Sequence, residues 1–123
     1  MLRIWRATLN SWRGLVAAAK SEAAMREELV ALALAVPLAF VVTPLAWKRL
    51  ALIGVILLLI VVELLNTAIE KLSDHVTATH HPDIGRIKDM SSAAVGVALA
   101  IAGFTWLLAL AEWAGLAAWL GLP

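Results

Sequence analysis

Residues 50–70 read LALIGVILLLIVVELLNTAIE, and the fold of the whole chain turns on how that run is understood. From Leu50 to Ile69 it is apolar with one charged interruption, Glu63. About 20 apolar residues suffice for a helix to cross a hydrocarbon core of roughly 30 Å. Two other stretches have comparable length. Leu29–Trp47 carries no charge, although Pro37 and Pro44 lie in it, and Met90–Ala111 is also uncharged and continues past Glu112 toward Pro123. Three membrane-crossing helices are therefore predicted, over 24–46, 48–76 and 87–117.

Composition supports the same reading. The 123 residues are 63% hydrophobic and 15% charged, with a mean hydropathy of +0.90. Soluble domains run at about 45–50% apolar and about 25% charged, and a globule of this length cannot hide so large an apolar excess. Lipid is the simplest solvent for it. There is no cysteine, which excludes disulfides and thiolate metal sites, and a net charge of +1 offers no case for nucleic acid. Arg3, Arg6 and Arg13 are spread through the N-terminus rather than gathered before one apolar block, so no cleaved leader is expected.

Ahead of the first span, Leu2 to about Ala19 form an amphipathic pattern. Trp5, Leu9, Trp12, Val16 and Ala19 recur at steps of four and three, with Arg6, Asn10, Arg13 and Lys20 about a quarter-turn away. This suits a helix over 1–21 lying in the plane of an anionic membrane surface; a bundle helix independent of the membrane is the alternative. The expected fold is all-α: an amphipathic surface helix followed by three transmembrane helices, in a single domain spanning 1–123. Arg3, Arg6, Arg13, Lys20, Arg26, Lys71, Arg86 and Lys88 fall on one side of such a topology, and only Lys48 and Arg49 on the other. The positive-inside bias puts the N-terminus in the cytoplasm. Thr43-Pro44 marks a turn, because proline biases its predecessor away from helix. The polar Thr77–Gly85 stretch reads as a second loop. In the third span Ser92, Gly96 and Gly103 offer small residues for close helix contact, or are small merely because such residues are common there. Three helices give little interior in which to hide membrane-level carboxylates, which suggests a homo-oligomer.

Glu63, Asn66, Glu70 and Asp74 are spaced three, four and four apart and fall in one stripe of a continuous helix. Glu63 is seven residues deeper than Glu70, about 10 Å along the axis. A carboxylate at such depth costs on the order of 2.5–3.5 kcal/mol and asks for a function. It could tie helices together with Asn66, belong to an ion or proton pathway, or catalyse a reaction at the membrane surface. A pathway needs polar residues through the full depth, whereas the outer halves of the spans are nearly featureless and the acidic clusters all lie on the cytoplasmic side. That asymmetry favours a site opening at the surface. Glu22 and Glu28 before the first span, and Lys88, Asp89, Ser91 and Ser92 at the start of the third, belong at the depth of Glu70. Clustered carboxylates suit a hard cation such as Mg²⁺, which shares its oxygen ligands with phosphates, and a lysine suits phosphate charge. His80 and His81 lack further close ligands and read as a solvated loop. No Walker-type or protein-kinase motif is present.

Three segments carry a resemblance to a known family. They are Ser11-Trp12-Arg13-Gly14-Leu15 with Glu22-Ala23-Ala24-Met25-Arg26-Glu27-Glu28; Val62-Glu63-Leu64-Leu65-Asn66-Thr67-Ala68-Ile69-Glu70; and Gly85-Arg86-Ile87-Lys88-Asp89-Met90-Ser91-Ser92-Ala93-Ala94-Val95. In order and interval they resemble the small integral-membrane prokaryotic diacylglycerol kinases over nearly the whole chain. The resemblance implies a homotrimer with composite active sites in the bacterial inner membrane. It implies transfer of phosphate from ATP, with Mg²⁺, to diacylglycerol to give phosphatidic acid during lipid recycling. It also implies Glu63 as general base and Glu22 and Glu70 as metal ligands. Asn66, Lys88, Asp89, His81 and Arg3 would hold the nucleotide, and Glu28, Ser92, Trp12 and Arg3 would surround the lipid. Asn10 stands where the family often has an aromatic, and Glu27 where it often has glutamine. Undecaprenol, the substrate of Gram-positive relatives, is the alternative within the family. A non-enzymatic helix bundle or ion-pathway subunit is the alternative outside it.

Overall fold

A computed structural model gives the architecture and describes residues 1–77, 79–115, 119 and 121. Four helices follow one another: α1 (Leu2–Ser21), α2 (Ala23–Val42), α3 (Ala46–Val76) and α4 (Pro82–Trp113). No strand occurs among the described residues. The α3 helix is central. It packs along α4 on one side and α2 on the other, while α2 and α4 barely meet and α1 leans on α2 and α3.

Each break has a local cause. Glu22 is extended between α1 and α2 (φ −122°, ψ 120°), and its N–H still bonds to the Ala18 carbonyl at 2.9 Å. Arg26 then reaches back from α2 and donates to the carbonyls of Ala19 (2.8 Å) and Lys20 (3.2 Å). Those are C-terminal carbonyls of α1, the groups that a helix end leaves without partners. At the turn between α2 and α3 Thr43 is extended (φ −149°, ψ 142°), the conformation that a following proline favours. Arg49 donates from Nε to the Thr43 carbonyl at 2.9 Å, and its guanidinium lies 4.2 Å from the centroid of the Phe40 ring. Past α4, Gly115 takes φ +78°, the left-handed conformation that commonly closes a helix.

Several boundaries differ from the expectation. The first span was expected to reach 46, but α2 stops at Val42 because the Pro44 constraint makes its immediate predecessor, Thr43, extended. The HHPDIG run, expected as loop, opens α4. Pro82 takes the first helical position, where no N–H is needed, and His81 caps the helix by accepting the Asp83 N–H at Nδ1, 3.1 Å away. The expected third span ended at 117, and its positions 116 and 117 lie outside the described residues.

The α3 and α4 helices, of 31 and 32 residues, are each long and apolar enough to cross a bilayer. At 1.5 Å per residue they extend about 46–48 Å, so their ends project beyond the hydrocarbon. The α2 helix carries Arg26, Glu27 and Glu28 in its first two turns, and its uncharged part, Leu29–Val42, covers only about 21 Å. Large apolar side chains such as Phe40, Val97, Phe104, Leu107 and Leu108 face outward. The chain is an all-α membrane protein.

Packing inside the bundle follows an antiparallel register of α2 on α3. Ala39 and Val42 sit with Leu52 at the outer end, and Ala35 with Ile56 near the middle. Ala18 of α1 and Met25 of α2 extend the same cluster toward the C-terminal end of α3. The apolar face expected on α1 is thereby divided. Of its residues Ala19 packs on the bundle, joined there by Leu15 and Ala18 from beside that face, whereas Trp5 and Trp12 point away from it. On α4 the face against α3 is Ser91, Ala98 and Ala102. Ser92, Gly96 and Gly103 lie open on the other side, and a Cβ on either glycine would meet nothing within 4 Å. The outer half is also less featureless than its composition suggests. Lys48 pairs with Glu112 across α3 and α4, and the Trp106 indole donates to the Leu52 carbonyl at 3.0 Å.

Candidate active site

The C-terminal half of α3 supplies the framework. Glu63, Asn66 and Thr67 are all buried, and Glu70 is half-buried one turn nearer the helix end. Glu63 is 5% exposed. It feels the charges of Glu70, on its own helix, and of Glu22, at the α1–α2 junction. Glu28, 9% exposed, faces it from α2 closely enough for the two carboxylates to repel. The acidic interior thus centres on Glu63 and Glu28, with Glu22 and Glu70 half-buried at its edge.

Asn66 organises the flank toward α4. Ser91 donates from Oγ to Asn66 Oδ1 at 2.7 Å, and Asn66 Nδ2 donates to Glu70 Oε1 at 3.4 Å. The buried Ser91 hydroxyl thus decides which end of the amide faces Glu70, since the carbonyl is taken and only the NH₂ remains. A groove of about 380 Å³ runs beside this chain of bonds, bordered by Val62, Leu65, Ile69, Ile87 and Met90. Further toward the helix ends, Lys88 Nζ lies 2.6 Å from Asp74 Oδ1, which holds the ammonium close to the Glu70 turn.

The remaining candidates stand apart within one chain. Asp89 and Ser92 are exposed on α4, and Trp12 and Arg3 are exposed on α1. His81 is also exposed and is occupied at Nδ1 as the cap of α4. Two contributors were expected to have no role of their own: Ser91, grouped only by depth with Lys88, Asp89 and Ser92, and Arg26, whose cap on α1 fixes the turn that carries Glu22. Ser91 was visible only as a polar residue at the start of the span. Nothing local distinguished it from Ser92.

As a cation site, the donor set is suitable but open. Among the described residues no three His, Asp or Glu side chains converge into a metal cage. Mg²⁺ typically takes one or two carboxylates and completes its shell with water and substrate phosphate oxygens. Glu22 and Glu70 are half-buried and open to the surface, the residue type and exposure that such a site asks for.

The family profile described as prokaryotic diacylglycerol kinase matches residues 9–110. This chain belongs to that family. The diacylglycerol kinase of Escherichia coli strain K12 is 44% identical over 108 residues, 88% of each chain. That of Pseudomonas aeruginosa PAO1 is 41% identical over 104 residues, 85% of each. That of Haemophilus influenzae Rd is 36% identical over 99 residues, 80% of this chain and 84% of the relative. The matched region of this family member contains the whole acidic interior, the Ser91–Asn66–Glu70 relay and Lys88. Arg3 alone among the candidates precedes it.

Proposed function

We propose that the protein is an ATP- and Mg²⁺-dependent lipid kinase of the bacterial inner membrane. It phosphorylates diacylglycerol to phosphatidic acid at the cytoplasmic face, in the service of lipid recycling. The observation that carries this reading is Glu63, a buried carboxylate about 10 Å along α3 from the more accessible Glu70. A lipid hydroxyl lies below the headgroups, whereas the phosphate donor arrives from water. A base for the first and ligands for the second must therefore be separated along the membrane normal, as Glu63 and Glu70 are.

In this reading Glu63 accepts the proton of the lipid hydroxyl as its oxygen bonds to the γ-phosphorus. The bond from that phosphorus to the β-phosphate oxygen breaks, and ADP leaves. Glu22 and Glu70 hold Mg²⁺, which when bound neutralises phosphate charge. Phosphoryl transfer depends chiefly on such positioning and charge neutralisation. Asn66, Lys88, Asp89, His81 and Arg3 position the nucleotide, and Glu28, Ser92, Trp12 and Arg3 surround the lipid. Several of these are exposed and separate within one chain, and the acidic interior forms no closed metal cage by itself. Both points support a homotrimer whose sites are shared between neighbouring subunits. Three crossings with the N-terminus in the cytoplasm accord with the distribution of Lys and Arg.

The test is transfer of radiolabel from [γ-³²P]ATP in mixed micelles containing diacylglycerol, undecaprenol or neither. Label in phosphatidic acid alone, dependent on Mg²⁺, is expected. No labelled lipid in any arm would remove the proposal, and label confined to undecaprenyl phosphate would move it to the other substrate.

A further inference from the structure

Thr67 is 4% exposed and its hydroxyl has no hydrogen-bond partner. A threonine inside a helix has a ready solution to that problem, a bond to the carbonyl four residues back. This chain uses that solution elsewhere: Thr8 bonds to the Ile4 carbonyl at 2.9 Å, Ser11 to Ala7 at 2.9 Å and Thr105 to Ile101 at 2.7 Å. Thr67 does not. Among the described residues one other fully enclosed side-chain atom lacks a partner, Oε2 of Glu28.

The two orphans occupy one region. Thr67 follows Glu63 by one turn on the same face of α3. Helical side chains lean toward the N-terminus, so the hydroxyl leans toward the Glu63 turn. The register that sets Ala39 by Leu52 and Ala35 by Ile56 continues inward. It brings Glu28 to the level of Glu63 and Thr67 to the level of Met25, one turn below. Buried polar groups left unpaired cost about 1–3 kcal/mol each, and a native structure that keeps them calls for a missing partner.

The partner's chemistry follows from what the interior leaves unpaired, a hydroxyl able to donate. Carboxylates supply acceptors in excess. The Ser91 hydroxyl is committed to Asn66 and one of the two Asn66 N–H groups to Glu70. A diacylglycerol brings one hydroxyl, which the carboxylates can accept, and two ester carbonyls, which need a donor. We infer that Thr67 is a substrate-binding residue whose hydroxyl donates to an ester carbonyl of the lipid, setting the glycerol backbone so that its free hydroxyl reaches Glu63. This rests on the lipid-kinase reading above and adds to it a residue that discriminates ester-linked lipids.

The test is a cycle of two enzymes and two substrates in mixed micelles. The enzymes are wild type and Thr67→Val, which keeps the shape and removes the hydroxyl. The substrates are a diacylglycerol and the dialkylglycerol of equal chain length, which lacks the carbonyls. For the ester lipid, Thr67→Val should raise the lipid KM about five- to ten-fold, the worth of one hydrogen bond, with the ATP KM unchanged. For the ether lipid the two enzymes should be equal, and Thr67→Ser should restore the wild-type preference. An equal loss on both lipids, or none on either, would overturn the inference while leaving the kinase reading intact. Absence of any lipid phosphorylation by the wild type would overturn both.

Discussion

Ser91→Ala removes a single oxygen, and its consequences can be worked from the structure. The lost bond is the 2.7 Å donation from Ser91 Oγ to Asn66 Oδ1, buried between α3 and α4. Interhelical hydrogen bonds in membranes average about 0.6 kcal/mol and reach at most about 1.7 kcal/mol. Converted at RT of about 0.59 kcal/mol, that range is about 3-fold to about 20-fold in an equilibrium. The upper part applies here, because the Asn66 carbonyl is left buried without a donor and Glu70 loses the fixed amide beside it. The amide is then free to turn, and the Nδ2 donation to Glu70 is no longer enforced. The expected phenotype is a fall in kcat/KM for ATP of about 10-fold, with the lipid KM nearly unchanged. Initial-rate measurement of ADP release against each substrate in turn reads this directly. Ser92→Ala is the internal control, one residue along, about 100° round α4 and exposed, and is expected to act through the lipid KM or not at all. A Ser91→Ala enzyme within two-fold of wild type for ATP would refute the relay from Ser91 through Asn66 to Glu70.

Three further outcomes follow from other contacts. Arg26→Ala removes both bonds that cap α1, so amides of its last turn should exchange hydrogen faster by about 10-fold, given about 1–1.5 kcal/mol for the lost bonds; unchanged protection would refute the capping role. Glu22→Gln and Glu70→Gln should shift the Mg²⁺ concentration for half-maximal activity upward steeply, and titrations superimposable on wild type would remove both from the cation site. Lys48→Ala breaks the outer pairing with Glu112, far from the acidic interior. It should lower the unfolding temperature in detergent while leaving both KM values within two-fold, and a changed lipid KM would contradict that separation.

What the sequence made legible divides by the range of the interaction. The Thr43 break was readable because Pro44 acts on its immediate predecessor. The stripe of Glu63, Asn66 and Glu70 was readable because helical spacing alone places it. The start of α4 was misread. Pro82, Asp83 and Gly85 punctuate loops, but the first two also serve at the opening of a helix, and it took the His81 cap to select the second role. Ser91 and Ser92 differ by about 100° on the helix. Which of them meets Asn66 depends on how α4 rolls against α3, something no local pattern encodes. The division of the α1 apolar face has the same origin: Leu15 and Ala18 gain a protein surface that periodicity cannot see. Lys48 and Glu112, 64 residues apart, find each other only once both helices are docked.

The proposed function turns on Glu63 as the base that activates a lipid hydroxyl. Glu63→Gln keeps the size and the hydrogen-bonding capacity of the side chain but cannot take a proton. The decisive measurement is single-turnover transfer from [γ-³²P]ATP to diacylglycerol by this variant, with nucleotide binding measured in the same preparation. Removing a general base typically costs about 10²- to 10⁴-fold, so the account predicts a transfer rate lowered by at least about 100-fold while ATP still binds with near wild-type affinity. Transfer at the wild-type rate would contradict it.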